Sequence, residues 1–155
     1  MVPRAKRPID YRSLADFRYE IRRFLNFSEQ AAREAGIEPH QHLGLLAING
    51  LAPKHKATVG ILAERLQIQH HSAVELVNRL ERKRLIRRSR NGADRREVML
   101  ALTGRGELLL AALTLVHRAE LRSAGPMLLR ALNEVLAQER SSASRDIRAS
   151  LRDWK

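Results

Sequence analysis

The sequence predicts a mainly α-helical fold with one small β-hairpin. Three observations carry that prediction. Apolar residues recur at 3-4 spacing from Leu14 to Ala35. Two short helical stretches in the middle of the chain are separated by only Gln67, Ile68 and Gln69. Asn91-Gly92, a hairpin turn signal, is followed by Val98, Leu100 and Leu102 at alternate positions.

Each element follows from local signals. Residues 1–9 read as a loose basic arm. From Asp10 to Ala35 there is no Pro or Gly, and Leu14, Phe17, Ile21, Phe24, Ser28, Ala31 and Ala35 form one helical stripe. Gly36 ends this helix. Glu38-Pro39 opens a second helix through about Ala52, with Leu43, Leu46 and Ala47 inward, and Pro53 stops it. Thr58 caps a short third helix, Val59 to Leu66, with Leu62 and Leu66 inward. A fourth helix runs from His70 to about Lys83 and buries Ala73, Val77 and Leu80. Then come LIRRSR, the turn NGADRR and the strand EVMLAL. Thr103 caps a fifth helix from Gly104 to about Ser123. Residues 108–116 (LLLAALTLV) are apolar all round, which predicts burial on several sides. Gly125-Pro126 is expected to break the chain. A sixth helix then starts near Met127, with Leu128, Leu132, Val135 and Leu136 inward, continuing or restarting through Ile147, Leu151 and Trp154.

The order helix, helix, recognition helix, hairpin reads as a winged helix-turn-helix. The aromatic residues are unevenly placed. Tyr11, Phe17, Tyr19, Phe24 and Phe27 lie in the first helix, and Trp154 lies at the far end. Large apolar side chains in terminal helices exceed what a small winged domain covers, so a second copy of the chain is expected to cover them. The dimerisation set is Leu14, Phe17, Ile21, Phe24, Leu132, Leu136 and Trp154; an ordinary intrachain core is the alternative. The expected organisation is an N-terminal arm and dimerisation helix (1–36), a winged helix-turn-helix (37–102) and C-terminal dimerisation helices (103–155).

Composition narrows the function. Net charge is +12, and residues 54–105 hold 13 Lys and Arg against 5 Asp and Glu. Basicity concentrated in this way points to a polyanion, nucleic acid first. There is no cysteine, which excludes disulfides and thiolate metal sites and suits a reducing cytosol. The basic N-terminus has no apolar stretch behind it and does not read as a signal peptide. No apolar run approaches the roughly 20 residues of a membrane span. There is no Gly-rich phosphate loop, clustered carboxylates or Ser/His/Asp set, so no enzyme is expected.

The runs LAERL, SAVELVNRLE, LIRR, DRR and LTGRG, at Leu62, Ser72, Leu85, Asp94 and Leu102, resemble the MarR family (multiple antibiotic resistance regulators). Each run is weak alone; five in order at this spacing are specific, and the flanking helices match the family's layout. The sequence departs from the family in two places. Arg84 stands where a Gly usually precedes the Leu-Ile pair, and Arg disfavours positive φ, so this helix end is expected to close differently. Gln69, followed by His70-His71, stands where a Ser usually caps the recognition helix.

Gln69, His70, His71 and Ser72 occupy the start of the recognition helix, whose partial positive charge favours phosphate or base acceptors. Glu75 and Arg79 follow. Arg79 suits guanine or phosphate, or else an intrahelical ion pair with Glu75. His70 and His71 diverge by about 100° around the helix and have no accompanying ligand, so no metal is expected. Lys54, Lys56, Arg65, Arg82, Lys83, Arg87 and Arg88 read as phosphate-facing or solvated, and Arg88 is counted in the DNA-binding set. By resemblance, Asp94 braces an arginine of the wing, Arg96 enters the minor groove and Arg95 contacts phosphate. The resemblance also implies a small effector, often an anionic aromatic, near the second helix, with His42 as its candidate contact. Together these readings predict a cytoplasmic, homodimeric regulator, a repressor without cofactor that binds a pseudo-palindromic DNA duplex. A sequence-tolerant architectural DNA binder and a winged helix used for protein contact are the alternatives.

Overall fold

A computed structural model describes residues 11–51, 56–90 and 98–139. In chain order these form α1 (Tyr11–Glu34), α2 (Pro39–Asn49), α3 (Val59–Leu66), α4 (His70–Arg82), β1 (Ile86–Arg90), β2 (Val98–Leu102) and α5 (Gly104–Glu139). The described residues are thus mainly helical with one antiparallel hairpin, as the sequence predicts. The chain divides into two compact units, one of residues 27–118 and one of residues 1–26 with 119–155.

The unit of residues 27–118 holds the principal core. Leu45, Leu62, Val77, Leu80, Leu85, Ile86, Leu100 and Leu113 are all buried in one cluster. The period-2 pattern of β2 turns Leu100 and Leu102 inward, and register pairs them with Arg88 and Ile86. The segment before α3 runs beside the hairpin, where the Ala57 carbonyl accepts from Leu100 N–H at 2.7 Å. Thr58 caps α3 through a bond from Ile61 N–H to its Oγ1 (3.3 Å).

Three helices close in the same way. After α1, Gly36 and Ile37 N–H donate to the carbonyls of Arg33 and Ala32. After α3, Gln67 and Ile68 donate to Glu64 and Ala63, and after α4, Arg84 and Leu85 donate to Glu81 and Leu80. Each is a Schellman closure, with Gly36, Gln67 and Arg84 at φ of 79°, 54° and 57°. Arg84 therefore does not change the helix end, contrary to the expectation. Left-handed backbone costs a non-Gly residue about 1–2 kcal/mol. Burying the next residue, Leu85, recovers a similar or larger amount.

The base of the hairpin explains LTGRG. Thr103 Oγ1 donates to the Arg84 carbonyl (2.7 Å) and accepts from Gly106 N–H (3.1 Å), capping α5 as expected. Thr103 N–H donates to the Leu85 carbonyl at 3.0 Å. A Cβ at residue 106 would lie 2.0 Å from that same carbonyl oxygen, so only Gly lets α5 start this close to the strand.

Several expectations are corrected. Gly125-Pro126 does not break the chain: α5 continues from Gly104 to Glu139 with Pro126 inside. Proline removes one intrahelical bond and crowds the carbonyl four residues earlier. Neither effect ends the helix where Leu128, Ala131, Leu132 and Val135 supply a packing stripe beyond it. In α2 the inner face is Gln41, His42, Leu45 and Ile48, while Leu43 and Leu46 are exposed and Ala47 is half-buried. The helix also ends at Asn49, capped by Gly50, before the predicted Ala52. The 108–116 run is not buried all round: Leu110 and Leu113 are, whereas Leu108 is 76% and Leu115 67% exposed.

In the unit of residues 1–26 and 119–155, Phe17, Ile21, Phe24 and Leu132 are half-buried. Leu14 and Leu136 stand about half exposed, and Ala131 is buried. Trp154, with Ile147 and Leu151, lies outside the described residues.

Candidate nucleic-acid interface

The helix-turn-helix is formed by α3 and α4. Its short turn works because Gln67 takes the left-handed conformation and closes α3 immediately after Leu66. Ala73, Leu76, Val77 and Leu80 then bind α4 to the core. His71, Glu75, Asn78, Arg79 and Arg82 remain outside, with Gln69 and His70 at the helix start. Ser72 is half-buried.

Gln69 occupies the N-cap with extended backbone and makes no side-chain capping bond. The first-turn amides of α4 therefore keep their partial positive charge without a side-chain acceptor from the cap. Among the described residues no ion pair joins Glu75 to Arg79, so the intrahelical alternative is not realised. Arg82 donates from Nε to the Asn78 carbonyl at 3.4 Å. Lys83 is also engaged, its Nζ donating to the Gly36 carbonyl at 2.8 Å.

The two adjacent strand arginines differ. Arg87 is exposed and free of ion pairs among the described residues. Arg88 donates from Nη2 to Asn78 Oδ1, and its Nη1 lies 3.5 Å from Glu81 Oε2. Asp94, Arg95 and Arg96, the predicted wing tip, lie outside the described residues, as does Lys54.

His42, the predicted effector contact, is only 4% exposed. Its ring lies 4.7 Å from that of His117, and Phe27 meets His117 edge-on at 5.7 Å. His117 Nδ1 is 2.7 Å from the Leu113 carbonyl, which can only accept, so Nδ1 carries a proton. Its Nε2 is 2.8 Å from Ser28 Oγ. Burial lowers the His42 pKa from 6.5, and the neighbouring His117 lowers it further. Sequence reasoning missed His117. Its signal was present, because Gly106, Leu110, Leu113 and His117 continue one 3-4 stripe and put an imidazole at a core-facing position. Among the described residues no group of three or more potential ligands could hold a metal ion.

Known proteins match this arrangement. Residues 35–97 match the MarR family model. The HTH-type transcriptional repressor MdtR of Bacillus subtilis is 30% identical over 79 residues, 51% of this chain and 49% of MdtR. The chain thus spans about half the length of the curated relative it matches. Staphylococcus aureus MepR, a transcription regulator of a multidrug efflux pump, superposes with a TM-score of 0.65 at 22% identity, covering 92% of this chain and 99% of MepR. A MepR–DNA complex gives 0.56 at 23% identity, over 81% and 96%. Bordetella bronchiseptica BpsR, whose DNA binding is regulated by 6-hydroxynicotinic acid, gives 0.60 at 18% identity, over 88% and 99%. At these identities the solved structures establish the shared fold.

Proposed function

We propose that the chain is a homodimeric, sequence-specific DNA-binding transcriptional regulator that represses by promoter occlusion. The carrying observation is the outward face of α4. Gln69, His70, His71, Glu75 and Arg79 are exposed at a helix start with no side-chain cap, beside a strand bearing the exposed Arg87. That face suits a major groove, and the hairpin suits the adjoining backbone. Ser72 lies at its edge. Arg95 and Arg96, braced by Asp94, are proposed to extend the contact into phosphate and minor groove. The MarR-family match over 35–97 and the DNA-bound MepR structure support this reading.

The dimer is proposed to form through the helices outside the winged region, within 1–36 and 103–155. The half-open Leu14, Phe17, Ile21, Phe24, Leu132 and Leu136 supply apolar surface for it, with Trp154 assigned to the same surface by sequence. Two recognition helices would then meet successive major grooves of a pseudo-palindrome. The proposed effector is a small anionic aromatic, a reading supported by BpsR and its 6-hydroxynicotinic acid. His42 reaches such a ligand only if its packing on His117 opens. The proposed compartment is the cytoplasm; no described helix is long and apolar enough to cross a membrane.

Selection of bound sequences from random duplexes tests the reading. The expected result is a palindromic motif bound about 10³-fold or more above random DNA. A gap below about tenfold favours an architectural binder. Absence of DNA binding, or no loss of affinity with rising salt, favours a protein-contact role. Arg96→Ala is expected to weaken binding in a folded dimer, and unchanged affinity would refute the wing assignment.

A further inference from the structure

Arg87 and Arg88 are indistinguishable by composition, but strand geometry separates them. Successive side chains on a strand point to opposite faces. Arg88 pairs in register with the buried Leu100 and shares a face with the buried Ile86. It therefore points toward the helices, while Arg87, opposite Ala101, points away.

Arg88 meets Asn78 and Glu81, which stand three residues apart on α4 and so share a flank of that helix. On one side of this flank runs the buried stripe of Ala73, Leu76, Val77 and Leu80. On the other runs the exposed stripe of His71, Glu75, Arg79 and Arg82. Arg88 thus bridges the hairpin to the side of α4, next to the face proposed to read DNA.

We infer that Arg88 is a positioning residue: its fork on Asn78 and Glu81 locks the hairpin against α4, so that the two elements meet DNA at one fixed spacing. The inference rests on the DNA-binding reading above. It also removes Arg88 from the phosphate-contacting set in which the sequence placed it. A phosphate approaching this guanidinium competes with the Glu81 carboxylate already beside it, whereas among the described residues no carboxylate pairs with Arg79 or Arg87. The planar fork matters because it reaches two partners at once, which a lysine ammonium does not reproduce. Both side chains of the ion pair are partly exposed, at 34% and 42%, so little effect on global stability is expected. The effect falls on orientation, since a two-stranded hairpin has little stiffness of its own.

The test compares Arg88→Ala, Arg88→Lys and Glu81→Ala with the unsubstituted protein. Each is titrated with the best duplex recovered by selection and with a random duplex of equal length, across a salt series. Hairpin amide hydrogen exchange is measured without DNA. Both Arg88 variants are expected to lower the selected-to-random affinity ratio about tenfold, with the salt slope unchanged. Glu81→Ala removes a negative charge yet is expected to lower the same ratio, and Arg88→Ala added to it costs little more. Hairpin exchange quickens in Arg88→Ala and Glu81→Ala. A salt slope reduced by about one, equal losses on both duplexes and rescue by lysine would instead make Arg88 a phosphate contact. Unchanged affinity ratios or unchanged hairpin exchange would also overturn the inference. If the unsubstituted protein binds neither duplex, the DNA reading fails, while exchange still decides whether Arg88 locks the hairpin.

Discussion

The compact unit of residues 27–118 and the unit of residues 1–26 with 119–155 use the same apolar vocabulary to different ends. In the first, Leu110 and Leu113 on α5 are 5% and 3% exposed, sealed into a cluster that also holds the hairpin base. In the second, Leu14 on α1 and Leu136 on α5 each belong to a 3-4 stripe and remain about half open. A 3-4 stripe therefore states which face of a helix is apolar and leaves open what covers it. The first unit seals a core yet leaves Leu108 and Leu115 open; the second leaves Leu14 and Leu136, apolar surface proposed above for another chain.

Breaking the first unit should have the largest effect. Gly106→Ala forces a Cβ into the Leu85 carbonyl, the acceptor for Thr103 N–H. A loss of about 4 kcal/mol in urea unfolding is expected, since backbone must move to relieve the overlap. A loss below about 1 kcal/mol would mean that α5 does not need this close approach.

The second unit should respond in association instead of folding. Replacing Leu14 and Leu136 by Ser is expected to weaken the proposed dimer by roughly 3 kcal/mol, on the order of a hundredfold. Sedimentation at graded concentrations measures this. An unchanged dimer would remove these residues from the interface.

A smaller effect is expected at His42. Its folded pKa lies below 6.5, so the unfolded chain takes up the proton more readily. Its contribution to stability is complete above 6.5 and declines as pH falls from there toward the lowered value. Urea midpoints should drop with acid through that window, and less so in His42→Gln. Equal slopes for both proteins would show that this imidazole is not the sensitive group.

The smallest change sharpens the comparison of helix ends. Arg84→Gly should relieve the left-handed backbone at φ 57° and stabilise the chain by about 0.5–1 kcal/mol. Gly36→Ala should act in the opposite sense at φ 79°. If Arg84→Gly destabilises, the arginine side chain contributes more than its backbone costs.

The sequence by itself determined the element order up to the start of α5, the caps at Thr58 and Thr103, the two hairpin strands and the MarR resemblance. All of these depend on neighbours within a few residues, where dihedral preference and hydrogen bonding act directly. Only the tertiary structure decided how α4 closes, because the burial of Leu85 outweighs the backbone preference of Arg84. It likewise carried α5 through Pro126, since packing on both sides of the proline exceeds the cost of one missing bond. It turned α2 onto Gln41, His42, Leu45 and Ile48, a face that hydrophobicity alone did not select. It brought His42 to His117 and Arg88 to Asn78 and Glu81, contacts that local sequence does not specify because they depend on how elements pack.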